Sequence, residues 1–333
     1  MRWIGMAACA SVLTVAVAAR AENCTTQSQM KAAERDALAA AASGLAAKMQ
    51  ADDEAGIRSL TITQFQANFS GIGRTIGQTA PKLKGTDPQV DQVYLLDASM
   101  LKAEPNGTNP DAQFFCTLNN SANETIFSIP QLPPGKYAFT MVRMQGEKPW
   151  LLSFLLQQDG GKWLLAGVYP KPSTADGHDG LWYWKQARVM ETQKQQWDAW
   201  LYLQEAQQLV QPAGFVSSTH LEKLQTELQS AIPPDLSNGI GSDTPLVVKA
   251  VDGTEYRFTG LSVDDSVGLD VAAHLKVDAM EDATAARKRN LAAMTALLAA
   301  HPELRKAFHG VWIFAQAPGQ TPYATEEAMT EIP

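Results

Sequence analysis

The chain has 333 residues, 45% of them hydrophobic and 19% charged, with a net charge of −8. That size and composition exclude a disordered chain or a low-complexity array, and they allow a sizeable core without a metal or disulfide scaffold. The acidic balance argues against a nucleic-acid partner or an anionic membrane surface, since either needs a cationic face.

The N-terminus reads as a secretory leader. Arg2 precedes an alanine-rich apolar stretch, residues 3–19, and Ala19-Arg20-Ala21 offers a small-x-small cleavage site before Glu22. The stretch is too short and alanine-rich for an anchor, and no later segment has 18 uninterrupted apolar residues. A lipid anchor is disfavoured because Ala21, Glu22 and Asn23 precede Cys24. The expectation is a periplasmic or secreted protein, residues 1–21 removed, with no membrane span left. Cys9 departs with the leader, so Cys24 and Cys116 form the expected disulfide, with two free thiols as the alternative because Cys116 sits in an apolar strand pattern.

Residues 27–50 are rich in Ala, Lys, Glu and Gln, with Met30, Leu38, Leu45 and Met49 as apolar positions, and predict a long helix. A shorter helix follows at residues 53–60. Phe65, Phe69, Ile72 and Ile76 recur at spacings of four, three and four, predicting a third helix that Pro81 ends. The period then changes to two. Strands are expected at residues 90–101, 114–118, 125–129, 137–141, 150–156 and 163–169, the last two joined by Asp159-Gly160-Gly161 as a hairpin turn. This describes a curved antiparallel sheet of about five strands after three helices.

That order, with long hairpins ending in a Gly161-Lys162-Trp163 turn exit and a hydrophobic strand, resembles the nuclear transport factor two-like superfamily over residues 25–172. The resemblance implies a cone of bent sheet wrapped around helices and enclosing an apolar pocket. Some members are isomerases, dehydratases or hydrolases, and many are non-catalytic. Asp97 is the strand carboxylate that such a pocket would need to turn inward; the plainer reading is an edge or turn aspartate.

Residues 181–211 predict a helical pair divided near 192–195, carrying Trp182, Trp184, Trp197 and Trp200. The pair resembles one tetratricopeptide-type hairpin, with Ala187, Ala199, Leu203 and Ala206 at its small and apolar positions. Gln186 and Pro212 depart from that pattern and a second copy is missing, whereas a binding groove takes three or more repeats. The four tryptophans read as an interdomain core between the N-terminal cone and the following helix, or as an aromatic wall for sugar or peptide. Thr219-His220-Leu221-Glu222 reads as a capping box opening another helix, and residues 234–244 as a linker. From residue 245 the pattern is strand, hairpin, strand, strand, helix, strand. Asp282 caps the helix and His301-Pro302 breaks it.

The expected fold class is α+β: an N-terminal domain at residues 22–172, a helical segment at 173–233, the linker, and a small α+β domain at 245–333. Catalytic motifs are sparse. His178-Asp179, between Gly177 and Gly180, is the best polar candidate beside Asp97; its alternative is an aspartate that caps the next helix. No HExxH or GxSxG occurs, Gly71-Ile72-Gly73 lacks the remainder of a dinucleotide fingerprint, and no cofactor is expected. His301, Glu303 and His309 read as helix-end residues, and no metal site is expected. The main expectation is an exported non-catalytic protein binding a small apolar ligand or another envelope protein. The alternatives are an isomerase, dehydratase or hydrolase using a pocket in the N-terminal domain, and a structural envelope component.

Overall fold

The computed structural model describes residues 23–117 and 123–333. The expected leader, residues 1–21, and Leu118 at the end of the second expected strand lie outside them.

Strand β1 (Asn23–Thr26) leads into helix α1 (Ala32–Gln50), whose buried Leu38, Ala42, Leu45 and Met49 keep one apolar face. Asp53 caps α2 (Glu54–Ser59) by accepting from the Gly56 N–H. The expected third helix is broken into α3 (Thr63–Gln66) and α4 (Ser70–Thr79). Its apolar spacing spans the break because Phe69 and Ile76 both reach the same core.

Six strands follow: β2 (Asp87–Asp97), β3 (Ala112–Thr117), β4 (Glu124–Ile129), β5 (Lys136–Gln145), β6 (Trp150–Asp159) and β7 (Lys162–Pro172). Asp176 and Gly177, both at positive φ, make the two-residue turn between β8 (Thr174–Ala175) and β9 (His178–Asp179). Helices α5 (Gly180–Thr192) and α6 (Gln196–Val210) form the expected pair. They cross closely at Gly180, where a Cβ would stand 2.9 Å from the Ala206 carbonyl. Strand β10 (Val216–Ser218) precedes α7 (Thr219–Ser230). The cap of α7 is Ser218, whose hydroxyl accepts from the Leu221 N–H, and not Thr219. The Thr219 hydroxyl is instead engaged by the Glu124 N–H of β4, so a strand contact displaces the expected capping box by one residue.

The C-terminal part comprises β11 (Leu246–Lys249), β12 (Glu255–Asp264), β13 (Asp270–Lys276), α8 (Ala283–Ala300), α9 (Leu304–Ala307), β14 (Gly310–Gln316) and β15 (Tyr323–Ala328). Asp282 caps α8 as expected. Strand β15 escapes the sequence reading because Tyr-Ala-Thr-Glu-Glu-Ala is polar and buries only Thr325 deeply.

The architecture is thus mixed α+β. The first five-stranded sheet runs β1-β2-β5-β6-β7, a three-stranded sheet runs β10-β4-β3, and the second five-stranded sheet runs β11-β12-β13-β14-β15. Neighbours are antiparallel except β13 and β14, which are parallel and joined through α8. The first sheet is covered on both faces. Val93, Leu95, Val142, Leu152 and Phe154 meet α1, α2 and α4, while Tyr94, Leu96, Phe139 and Leu155 meet Phe114 and Phe127 of the small sheet. The expected disulfide is formed: Cys24 on β1 and Cys116 on β3 tie the two N-terminal sheets together, with Cα atoms 5.3 Å apart. Among the described residues no helix is long and apolar enough to cross a membrane.

The helical pair shares its core with the C-terminal sheet. Trp197, Trp200, Leu201 and Leu203 cluster with Phe258, Val271, Leu297 and Ile313. Leu236, inside the expected linker, is buried in the same cluster, on a short helical turn that begins at Pro234.

Candidate functional site

The second five-stranded sheet differs from the first in leaving one face uncovered. Val271, Ala273, Leu275, Val311 and Ile313 point into the core beneath α6 and α8. Alternation sends Asp270, His274, Trp312, Phe314 and Glu326 to the opposite face. There His274 and Phe314 stack at 5.4 Å, and Phe314 and Trp312 at 5.5 Å.

At one end of this face, where β13 and β14 begin and β15 ends, three polar side chains converge. Asp270 opens β13, His309 precedes β14, and Glu326 lies on β15 opposite Trp312. Each offers a donor atom within 4.8 Å of the other two, close enough to hold a metal ion. His309 Nδ1 is 2.9 Å from Asp270 Oδ1. The His309 backbone is fastened on both sides, its N–H donating to the Leu269 carbonyl and its carbonyl accepting from the Met329 N–H. Asp270 is fully buried, whereas the His309 side chain is half exposed. The second Asp270 oxygen, Oδ2, is buried without a hydrogen-bond partner. Burial pushes the Asp270 carboxyl above the usual carboxylate range, with the His309 hydrogen bond opposing the shift.

Two glycines make room for the cluster. A Cβ on Gly310 would stand 2.9 Å from Asp270 Oδ1 and 3.1 Å from Glu326 Oε1, and one on Gly268 would fall 2.5 Å from His309 Cγ. Gly268 also borders a cleft of about 660 Å³, walled by Trp150, Thr174, Asp176, Asp265 and Ser266. The cleft lies between the first sheet's β5–β6 turn, the β8–β9 turn and the β12–β13 turn.

A second cavity, about 510 Å³, lies on the face of the first sheet away from α1–α4. Phe139, Met141, Phe127, Trp184, Leu181 and Val210 line it, with Ser217, Ser218 and His220 as polar groups at its wall. The exposed Leu181 and Val210 belong to the same lining. On the helix side of the sheet, by contrast, apolar side chains fill the space between sheet and helices.

The residues singled out from sequence lie apart from the Asp270 cluster. Asp97 ends β2 and accepts from the Ser99 N–H, the geometry of a turn aspartate. Asp179 caps α5 through the Trp182 N–H, and His178 stacks on the Trp182 ring at 3.8 Å. Trp184 is buried and donates to Glu227, which also accepts two bonds from Arg188. Trp197 and Trp200 are buried, with Trp197 against the His301 ring at 4.0 Å. Their neighbours are C-terminal residues and not the N-terminal sheets, because α6 packs on β12.

Sequence reasoning passed over the cluster because its members are separated by 39 and 17 positions and share no motif. It weighed His309 with His301, yet His301 is buried against Trp197. One local signal was present: Asp270 stands immediately before an apolar run, beside Gly268, where a turn residue would be expected to face water.

No family model matches the chain, and no curated protein or solved structure matches it.

Proposed function

We propose that the protein is an enzyme of the hydrolase class whose chemistry is seated on Asp270, His309 and Glu326. The observation that carries this reading is the 2.9 Å contact between a fully buried carboxylate and a half-exposed imidazole. A carboxylate so placed holds the imidazole with its Nδ1–H inward and Nε2 free. Nε2 then takes the proton of a water as its oxygen bonds to an acyl or phosphoryl centre. The imidazolium returns that proton to the leaving oxygen or, from a peptide, the leaving nitrogen as the old bond breaks. The second carboxylate, Glu326, stabilises the imidazolium between the two transfers. The neighbouring cleft is of the size that takes a small-molecule substrate.

This moves the expected chemistry out of the N-terminal pocket and onto the C-terminal sheet. The nuclear transport factor two-like reading of residues 25–172 is part of the proposal, supported by α1, α2 and α4 lying against one face of an antiparallel sheet. So is export after leader removal, which N-terminal sequencing of the recovered protein tests by finding Glu22 first. The test of the enzymatic reading is turnover of chromogenic ester, phosphomonoester and peptide substrates by wild type and His309→Ala. Loss of about 100-fold or more is expected for one class. Turnover in no class, or turnover indifferent to His309→Ala, overturns it.

A second reading rests on a separate observation, the cavity of about 510 Å³ lined mainly by apolar side chains. It is a binding site for a small apolar ligand, and displacement of a fluorescent apolar probe that Phe139→Trp impairs would support it.

A further inference from the structure

We infer that Asp270, His309 and Glu326 form a binding site for one divalent transition-metal ion, with Zn2+ the best fit. The inference deepens the hydrolase reading, on which it rests only for the task of the bound water; affinity for the ion is independent of it.

Three observations carry the assignment. The donor set is one imidazole nitrogen and two carboxylate oxygens within 4.8 Å of one another. Nitrogen in the set selects against Ca2+ and Mg2+, which take all-oxygen cages, and the lack of thiolate selects against Cu(I). Three protein ligands with open positions for water are the usual composition of a catalytic zinc centre.

The second observation is Asp270 itself. Its side chain is fully buried, its hydrogen bonds are to His309 and the Gly310 backbone N–H, and Oδ2 has none. A carboxylate removed from water without compensating donors is costly, and buried charges are normally paired or coordinate a metal. Among the described residues no lysine or arginine pairs with Asp270 or with Glu326, although the adjacent Glu327 is paired with Arg287. A cation between the two carboxylates supplies the missing charge.

The third observation is spacing. Two ligands at about 2.1 Å from a tetrahedral ion stand about 3.4 Å apart. His309 Nδ1 and Asp270 Oδ1 are 2.9 Å apart, so an ion replacing their shared proton requires them to separate by roughly half an ångström. The half-exposed His309 side chain has room to yield. Gly310 keeps the space between Asp270 Oδ1 and Glu326 Oε1 free of a Cβ that would meet both oxygens. In the loaded site the ion lowers the pKa of its bound water, and that water becomes the nucleophile in place of the one activated by free imidazole.

The test uses the disulfide-intact protein, stripped with chelator and titrated calorimetrically with ZnCl2, MnCl2 and CaCl2. The expected result is one equivalent of Zn2+, bound at least 100-fold more tightly than Ca2+. His309→Ala and Glu326→Gln should each weaken Zn2+ at least tenfold while circular dichroism and a cooperative apo unfolding transition show both variants folded. His220→Ala, a histidine elsewhere, should have no effect. Absence of a stoichiometric Zn2+ site, equal affinity for Ca2+, or indifference to both variants overturns the inference. Because His309 is half exposed and Glu326→Gln keeps the shape of a partly buried side chain, loss of binding is separable from loss of folding. If Zn2+ binds as expected but no substrate is turned over, the hydrolase reading falls and the ion site stands. If turnover depends on His309 and persists without metal binding, the reverse holds.

Discussion

The two five-stranded sheets have the same number of strands but are buried differently. The first is packed on both faces, so β6 reads Leu-Leu-Ser-Phe-Leu-Leu with every one of those residues buried. The second is packed on one face only, and its strands alternate core residues such as Val271 and Ile313 with Asp270, His274 and Trp312 on the other side. The doubly covered run of β6 carries no charged side chain. A face outside the core allows donors from neighbouring strand ends to meet, with His309 half exposed above the buried Asp270, and the Asp270 cluster occurs there. The disulfide belongs to the first arrangement, since it fastens the small sheet that forms the second cover.

The largest test of this contrast is the bridge. Cys24 and Cys116 close a loop over a separation of 92 positions, for which the chain-entropy account gives about 4–5 kcal/mol as an upper figure. Reduction should lower the denaturant midpoint of the N-terminal part sharply and leave metal affinity at His309 unchanged. A uniform loss in both regions would break the contrast.

Next come the aromatic residues. Phe154→Ala, within the doubly covered sheet, and Trp200→Ala, in the core beneath the second sheet, should each cost about 3–5 kcal/mol in equilibrium denaturation. Trp312→Ala, on the opposite face and outside that core, should cost less than either. Equal costs at Phe154 and Trp312 would mean that the second sheet is covered as well.

A pH measurement sharpens the comparison between buried carboxylates that have partners and those that have none. Asp198, on α6, has both oxygens buried without partners, and burial, aided by Glu303, pushes its carboxyl from 3.8 up to about 7. Between those values the folded chain holds the proton and the unfolded chain does not. This contribution to stability therefore falls as pH rises from about 4 to about 7 and stays low above. Asp198→Asn should remove that slope, making the protein up to about 4 kcal/mol more stable than wild type at pH 8 and little different at pH 4. Parallel stability curves for the two proteins would refute the assignment. The smallest effect is expected at the α7 cap, where Ser218→Ala should cost about 1 kcal/mol while Thr219→Ala leaves the cap itself intact.

Much of the framework was legible in local sequence. Apolar period and capping chemistry are short-range quantities, so α1, α2, α5, α6 and α8 with its Asp282 cap lie within a few residues of their expected positions. The α+β class and the pairing of Cys24 with Cys116 follow from the same kind of reading, the latter because no other partner is left after the leader. Strand partners, helix–sheet neighbours and the Asp270 cluster were decided by tertiary structure. Val216–Ser218 and Tyr323–Ala328 are strands because β4 and β14 present unpaired backbone to them, not because their own residues favour extension. The tryptophans of α6 meet the C-terminal sheet because the chain turns there, a fact that their periodicity does not encode. Asp270, His309 and Glu326 meet because a parallel strand pair places the start of β14 beside the start of β13, and an antiparallel neighbour brings the end of β15 alongside them. Such proximity depends on strand register over dozens of residues, and register is set by the packing of the whole sheet.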